Sequence, residues 1–273
     1  MSNLRLIHDN AADRATIVAS STAGSLGVQY LKTDRKGEVH RSVGTSVTYT
    51  LTWPTAVSIG GVGLPATNLT SAGTVRVRGY DADDNLVADS GVKPAAPGPN
   101  LGAWPWIGPL GGNAFAYGGA TKSALWFLPQ IGVRKLVLDL ADPSNPAGYI
   151  DCARIVAGSY WEAQYNAAYG STVAVVDTTT VTRADSGDAV PDLGTQHDAM
   201  TLDLSVLRPD DRARVMQILR GNGVGRPVFL CVVPSNGDPL LVQDWTMYGR
   251  LSNTSLTFAS YNLHTAQLQI EGW

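Results

Sequence analysis

The amino-acid sequence predicts a mainly β protein, a jelly-roll β-sandwich followed by a smaller β-rich domain with one short α-helix. Three observations carry this. Apolar residues recur at every second position in short runs, as in Val47-Thr48-Tyr49-Thr50-Leu51-Thr52-Trp53. Turn text rich in Gly, Pro, Asn and Asp separates those runs. A persuasive apolar stripe of helical period occurs only after Pro209.

At 273 residues the chain accommodates two ordinary domains, read here as 1–158 and 159–273. The charged fraction is 16%, well under the ~25% usual for soluble domains, so Ser, Thr, Asn, Gly and small apolar residues must cover much of the surface. Such a surface lowers the repulsion and desolvation that oppose permanent assembly. The 20 basic and 23 acidic residues are spread along the chain, and with a net charge of −3 no basic stripe is offered to a phosphate backbone. Nucleic acid is therefore not an expected partner. MSNLRLIHDN has no apolar core of signal-peptide length, and no window approaches the roughly 18 apolar residues of a membrane span, so a cytosolic translation product is expected. Cys152 and Cys231 sit far apart in apolar or strand-like runs and read as buried free thiols rather than a disulfide.

Along the chain, 47–53 is the clearest strand, and Pro54 is expected to end it. A second strand covers 57–64, where Gly60, Gly61 and Gly63 permit bulging or close backbone approach. Thr74 to Tyr80, the turn 81–85 and Leu86-Val87-Ala88 read as a hairpin. From Gly91 to Gly119 the density of Gly and Pro excludes regular structure over most of a long loop. Trp104, Trp106, Phe115 and Tyr117 nonetheless give that loop apolar area to bury. Arg134 to Leu140 and Tyr149 to Val156 read as another hairpin, and 172–176 as a strand. The helix is expected near 209–220, with Pro209 at its first position, Asp210 and Asp211 in its first turn, Val215, Ile218 and Leu219 on one stripe, and Arg220 with Gly221 at its end. Strands are expected at 228–233, 245–251, 255–261 and 266–270.

No catalytic, cofactor or metal constellation stands out. His8, His40, His197 and His264 are isolated from any ligand spacing, and Gly60-Gly61-Val62-Gly63 leads into strand text, not into a helix that would hold phosphate. Asp81, Asp83 and Asp84 have Ca²⁺-binding chemistry but lack the loop Gly and distant Glu of an EF-hand; a solvated turn is the preferred reading. The candidate ligand or interface residues are Trp104, Trp106, Phe115 and Tyr117. Three roles stay open for them: packing on their own sandwich, a subunit interface, or stacking against sugar rings.

The text from Trp53 to Leu69 and TSAGTVRVRGYDADDNLVADSG resembles the middle of a galactose-binding-like, discoidin-type jelly roll. VRKLVLDLADPSNPAGYIDCARIVAG resembles its closing strands, and Glu38-Val39-His40-Arg41-Ser42 sits at an aromatic-Arg-Ser step from which His40 departs. Ala157-Gly158-Ser159-Tyr160-Trp161 with Asn166 and Tyr169-Gly170, then 177–183 and Gly187, then Pro234 and Tyr248-Gly249-Arg250-Leu251, is similar to tail-tip and distal-tail proteins of long, non-contractile-tailed bacteriophages. The resemblance implies a non-enzymatic virion component, made in the host cytoplasm and assembled as a homo-oligomeric ring of the tail tip or baseplate. Tube, hub and fibre proteins are the implied partners. It also implies contact with host glycan, although that family's binding residues vary too much to carry over. A carbohydrate-binding receptor module is the alternative reading, and a cell-wall glycosidase a weaker third.

Overall fold

The computed structural model describes residues 3–96, 120–235, 237–253, 255, 257–260 and 263–273, with backbone alone at 257–260 and 263. Antiparallel strands dominate, as expected, and the described α-helices are Pro209–Asn222 and Pro239–Asp244. The contacts divide into two units, Met1–Ala163 with Phe229–Thr246 and Gln164–Val228 with Met247–Trp273. A linear division at 158/159 does not describe this arrangement. Phe229, Leu230 and Cys231 pair with Ile7, Leu6 and Arg5, which draws a later, wholly buried strand into the first unit.

Two strands of unusual length organise the first unit. Ser46–Thr67 and Thr121–Ala141 pair antiparallel from Ser46↔Ala141 to Thr67↔Thr121, with register shifts between Thr52 and Val57, Ile59 and Gly61, and Leu64 and Thr67. Such shifts bend a strand and sharpen its twist. Three other strands add to this pair. Thr16–Ala19 lies along Thr52 to Tyr49, Thr74–Tyr80 along Ala141 to Lys135, and Val156–Gly158 along Gly63 to Gly61. Thr74–Tyr80 also forms the expected hairpin with Leu86–Asp89.

Two expectations are corrected here. Pro54 does not end its strand, because it lies in the first register shift, where the ladder requires no donor. The 134–140 run does not fold back on 149–156, because buried Asp142 ties the following turn to a neighbouring loop. Its carboxylate accepts from the Thr70 amide at 2.7 Å and the Thr70 hydroxyl at 3.0 Å. Asp151–Cys152 pairs with His40–Arg41 instead.

The core of this unit follows from alternation. In Thr74–Tyr80, Val75 and Val77 are buried between half-buried Thr74, Arg76 and Arg78, and they join Tyr49, Leu51, Leu136 and Leu138 in one cluster. Arg154, only 2% exposed, braces the chain's start against it, meeting Asp13 at 2.7 Å and Asp34 at 3.2 Å. Burial pushes the Asp13 carboxyl up, against the pull of Arg154. The glycine-rich run serves close approach. A Cβ on Gly61 would stand 2.5 Å from the Trp126 ring, and one on Gly63 2.5 Å from the Phe229 ring.

The second unit is smaller. Gln196–Leu207 buries Met200, Leu202 and Leu204 on one face and pairs with Leu263–Gly272, which buries Ala266, Leu268 and Ile270. The helix Pro209–Asn222 lies against both strands and contributes Val215, Ile218 and Leu219. Pro209 and the two aspartates begin it as expected, but it runs past Gly221 to Gly223. That residue takes φ +53° and returns its N–H to the Leu219 carbonyl, a conformation glycine adopts without strain.

Gly63→Ala should lower the unfolding free energy by about 1–3 kcal/mol in urea denaturation, since the buried Phe229 ring has no room to yield. An unchanged midpoint would contradict the close approach.

Candidate functional site

The residues singled out for chemistry have structural partners. Asp81 accepts from the amides of Asp83 and Asn85 and from the Asn85 side chain, so its carboxylate closes the hairpin turn. Those bonds hold its pKa below the usual carboxylate range. No cluster of metal-ligating residues occurs among the described residues. His40 is buried, with Nε2 3.1 Å from the Thr22 hydroxyl and Nδ1 2.9 Å from the Tyr49 hydroxyl. Cys152 and Cys231 are free and buried; burial raises both thiols, Cys152 to about 12. Burial therefore disfavours the thiolate form of both.

Trp104, Trp106, Phe115 and Tyr117 lie outside the described residues. The two ends of their segment are anchored close together. The Ala95 amide donates to the Gly73 carbonyl, the Ser123 hydroxyl to the Ala95 carbonyl, and the Thr121 hydroxyl to the Leu69 carbonyl.

The second unit carries a different feature. Thr172–Asp177 pairs with Gln196 to Thr201, and Thr180–Arg183 with Ala189–Asp192, making a ribbon that folds back near Gly187. Every residue from Val173 to Gln196 is exposed, apart from the half-buried Thr179. Both faces therefore lack a covering layer, yet Val175 is 66% exposed, Val181 59%, Val190 51% and Leu193 83%. Scattered exposed apolar residues are ordinary, but a series of them on one ribbon makes it a candidate interaction surface. An isolated two-stranded ribbon is marginal in water. Its inner half is held by the sheet, and its joint by Thr178 bonding to Thr195 and by the Asp177 carboxylate. Bonds from Thr179 and Gln196 hold that carboxyl at about 2, so it is charged throughout the neutral range.

The exposed side of the helix is the second element. From Arg212 to Arg226 there are four arginines, Arg212, Arg214, Arg220 and Arg226, and no acidic residue. Arg214 bonds Gln217 at 2.6 Å. Arg212 and Arg220, two turns apart, have no ion pair among the described residues. With Ala213, Met216 and Gln217 they line a groove of about 510 Å³.

Sequence reading identified 172–176 as a strand but not as the base of an arm. Its apolar run Val173-Ala174-Val175-Val176 matches an ordinary short strand, and the Thr- and Asp-rich text that follows is too poor in large apolar residues to bury a face.

No family model and no curated protein matches this chain. Solved structures similar to it include a fucose-binding module of Streptococcus pneumoniae, at 11% identity over 56% of this chain and 99% of that one, with a TM-score of 0.38. A chitosan-binding module from a Paenibacillus chitosanase/glucanase is 11% identical over 56% of this chain and 100% of that one, with a TM-score of 0.40. A Clostridium perfringens module in complex with GalNAc-β-1,3-galactose is 11% identical over 55% and 100%, with a TM-score of 0.39.

The buried His40 makes one solution property testable. Burial lowers its pKa below 6.5, so the unfolded chain takes up the proton first as pH falls. Its contribution is complete above pH 6.5 and is lost below it, by up to about 1.4 kcal/mol per pH unit until the folded value is reached. In urea titrations between pH 7 and 5, His40→Gln should lose less stability than the parent; equal slopes would contradict the assignment.

Proposed function

We propose that this chain is a non-enzymatic structural subunit that assembles with further copies of itself, as a ring component of a long bacteriophage tail tip made in the host cytoplasm. The observation that carries the assembly reading is the ribbon of 173–196, exposed on both faces and supplied with Val175, Val181, Val190 and Leu193. Edge strands with unpaired amides and carbonyls invite pairing with another chain, and natural proteins seldom leave them long and apolar without a partner. The low charged fraction of 16% supports the same reading. The tail setting, with tube, hub and fibre neighbours, is supported by the resemblance of 157–251. Deleting 178–195 and joining the ends with a Gly-Gly turn should leave a folded monomer in light scattering, where the parent forms an oligomer of defined size. A parent chain that stays monomeric up to 100 μM would rule the reading out.

A second reading, carbohydrate binding by the first unit, is supported by the anchored segment carrying Trp104, Trp106, Phe115 and Tyr117. Aromatic rings supply flat apolar area against sugar faces with little entropy to lose. Replacing Trp104 and Trp106 by Ala should abolish binding to host-surface polysaccharide in a chain that still folds, as checked by its melting curve. Unchanged binding would remove both tryptophans from the site.

A further inference from the structure

The arm and the helix face of the second unit carry opposite charge. Between Ser171 and Gln196 the ribbon has four acidic residues, Asp177, Asp185, Asp188 and Asp192, against one base, Arg183. That base is bonded to the Gly187 carbonyl within its own turn at 3.0 Å. The segment from Arg212 to Arg226 has the reverse composition, and Arg212 and Arg220 stand at either end of a groove floored by Met216 and Ala213. The arm therefore offers carboxylates and exposed aliphatic side chains, while the groove offers guanidinium groups and an apolar floor. The two are not joined within one chain, because the arm's side chains stay exposed over both of its faces.

We propose that the arm of one copy seats in the groove of the next copy. Asp185, Asp188 and Asp192 face Arg212 and Arg220, and Val190, on the strand face it shares with Asp192, lies against Met216 and Ala213. This inference rests on the assembly reading and deepens it. A contact between unlike patches is head-to-tail, and repeating it closes a ring where the rotation between copies divides a full turn and builds an open filament where it does not. A second copy is favoured over an unrelated partner because one chain already holds both complementary halves. Guanidinium–carboxylate pairs suit such a seat, since Arg presents a planar fork that two carboxylate oxygens can accept. At about 3.3 Å per residue the ten residues from Thr178 to Gly187, beyond the half held by the sheet, give roughly 33 Å of contour with which to reach a neighbouring small domain.

The test compares four proteins by size-exclusion chromatography with light scattering, with melting curves as a check on folding. They are the parent, the arm variant Asp185→Lys/Asp188→Lys/Asp192→Lys, the groove variant Arg212→Glu/Arg220→Glu, and the chain carrying all five changes. The substituted side chains are exposed, so each variant should melt like the parent. The parent should be oligomeric, the arm and groove variants each at least tenfold weaker in association, and the five-change chain restored to within threefold of the parent. A parent that is monomeric overturns the assembly reading and this inference with it. An oligomeric parent whose arm and groove variants associate unchanged, or whose five-change chain stays weak, overturns the seat alone. As a measurement independent of charge, Ser186→Cys combined with Gln217→Cys should give covalent multimers on mild oxidation, whereas monomers alone would overturn the seat.

Discussion

The pairing of Ser46–Thr67 with Thr121–Ala141 is the constraint on which the first unit depends. Each flanking strand is defined by its place on that pair, Thr16–Ala19 and Val156–Gly158 on one member and Thr74–Tyr80 on the other. The three register shifts matter as much as the ladder, because they let one strand twist without losing its partner. The same pair fixes the position of Thr121, which is paired with Thr67 and whose hydroxyl bonds the Leu69 carbonyl. A Cβ placed on Gly61 or Gly63 would collide with the Trp126 or the Phe229 ring packed against this strand.

The two units treat their charges differently. In the first, Arg5 meets Glu162 at 2.9 Å and stacks 4.7 Å from the Tyr160 ring, while Arg41 meets Asp151 at 2.8 Å and lies 3.8 Å from the Tyr149 ring. Arg76 holds Asp89 down at about 2. These arginines are used internally. In the second unit Arg212 and Arg220 flank an open groove, and the acidic arm stands clear of its own fold. Charges left unused by a chain's own fold are available for a partner, and exposed pairs contribute orientation and specificity more than stability.

Where burial imposes a period, the sequence carried the fold. The two-residue alternation of 47–53 and 74–80 and the stripe of Val215, Ile218 and Leu219 each reappear as elements in the structure. Pro54 misled because its effect on a strand depends on whether the ladder needs its missing N–H, and a register shift removes that need. The partners of 134–140 were not legible either, since they lie about sixty and about ninety residues earlier, and the turn that follows is held by the buried Asp142. The six-residue helix Pro239–Asp244 is too short for a stripe, and only Asp238 before Pro239 marks it, the carboxylate accepting from the Leu240 amide at 3.0 Å. Only 172–176 of the arm was read, as a strand, because exposure on both faces is a tertiary property. Its charge contrast with 212–226 was present in the sequence all along, without a surface to place it on.

The central claim is that the ribbon of 173–196 is an interface and not a free appendage. Hydrogen exchange of its backbone amides across a dilution series tests this most directly, because an uncovered ribbon opens freely and exchanges fast whatever the protein concentration. The account predicts slow exchange over 178–195 in concentrated protein, accelerating on dilution together with the 212–220 helix face. Fast exchange of the arm at every concentration, in a chain whose long strand pair stays protected, would contradict it.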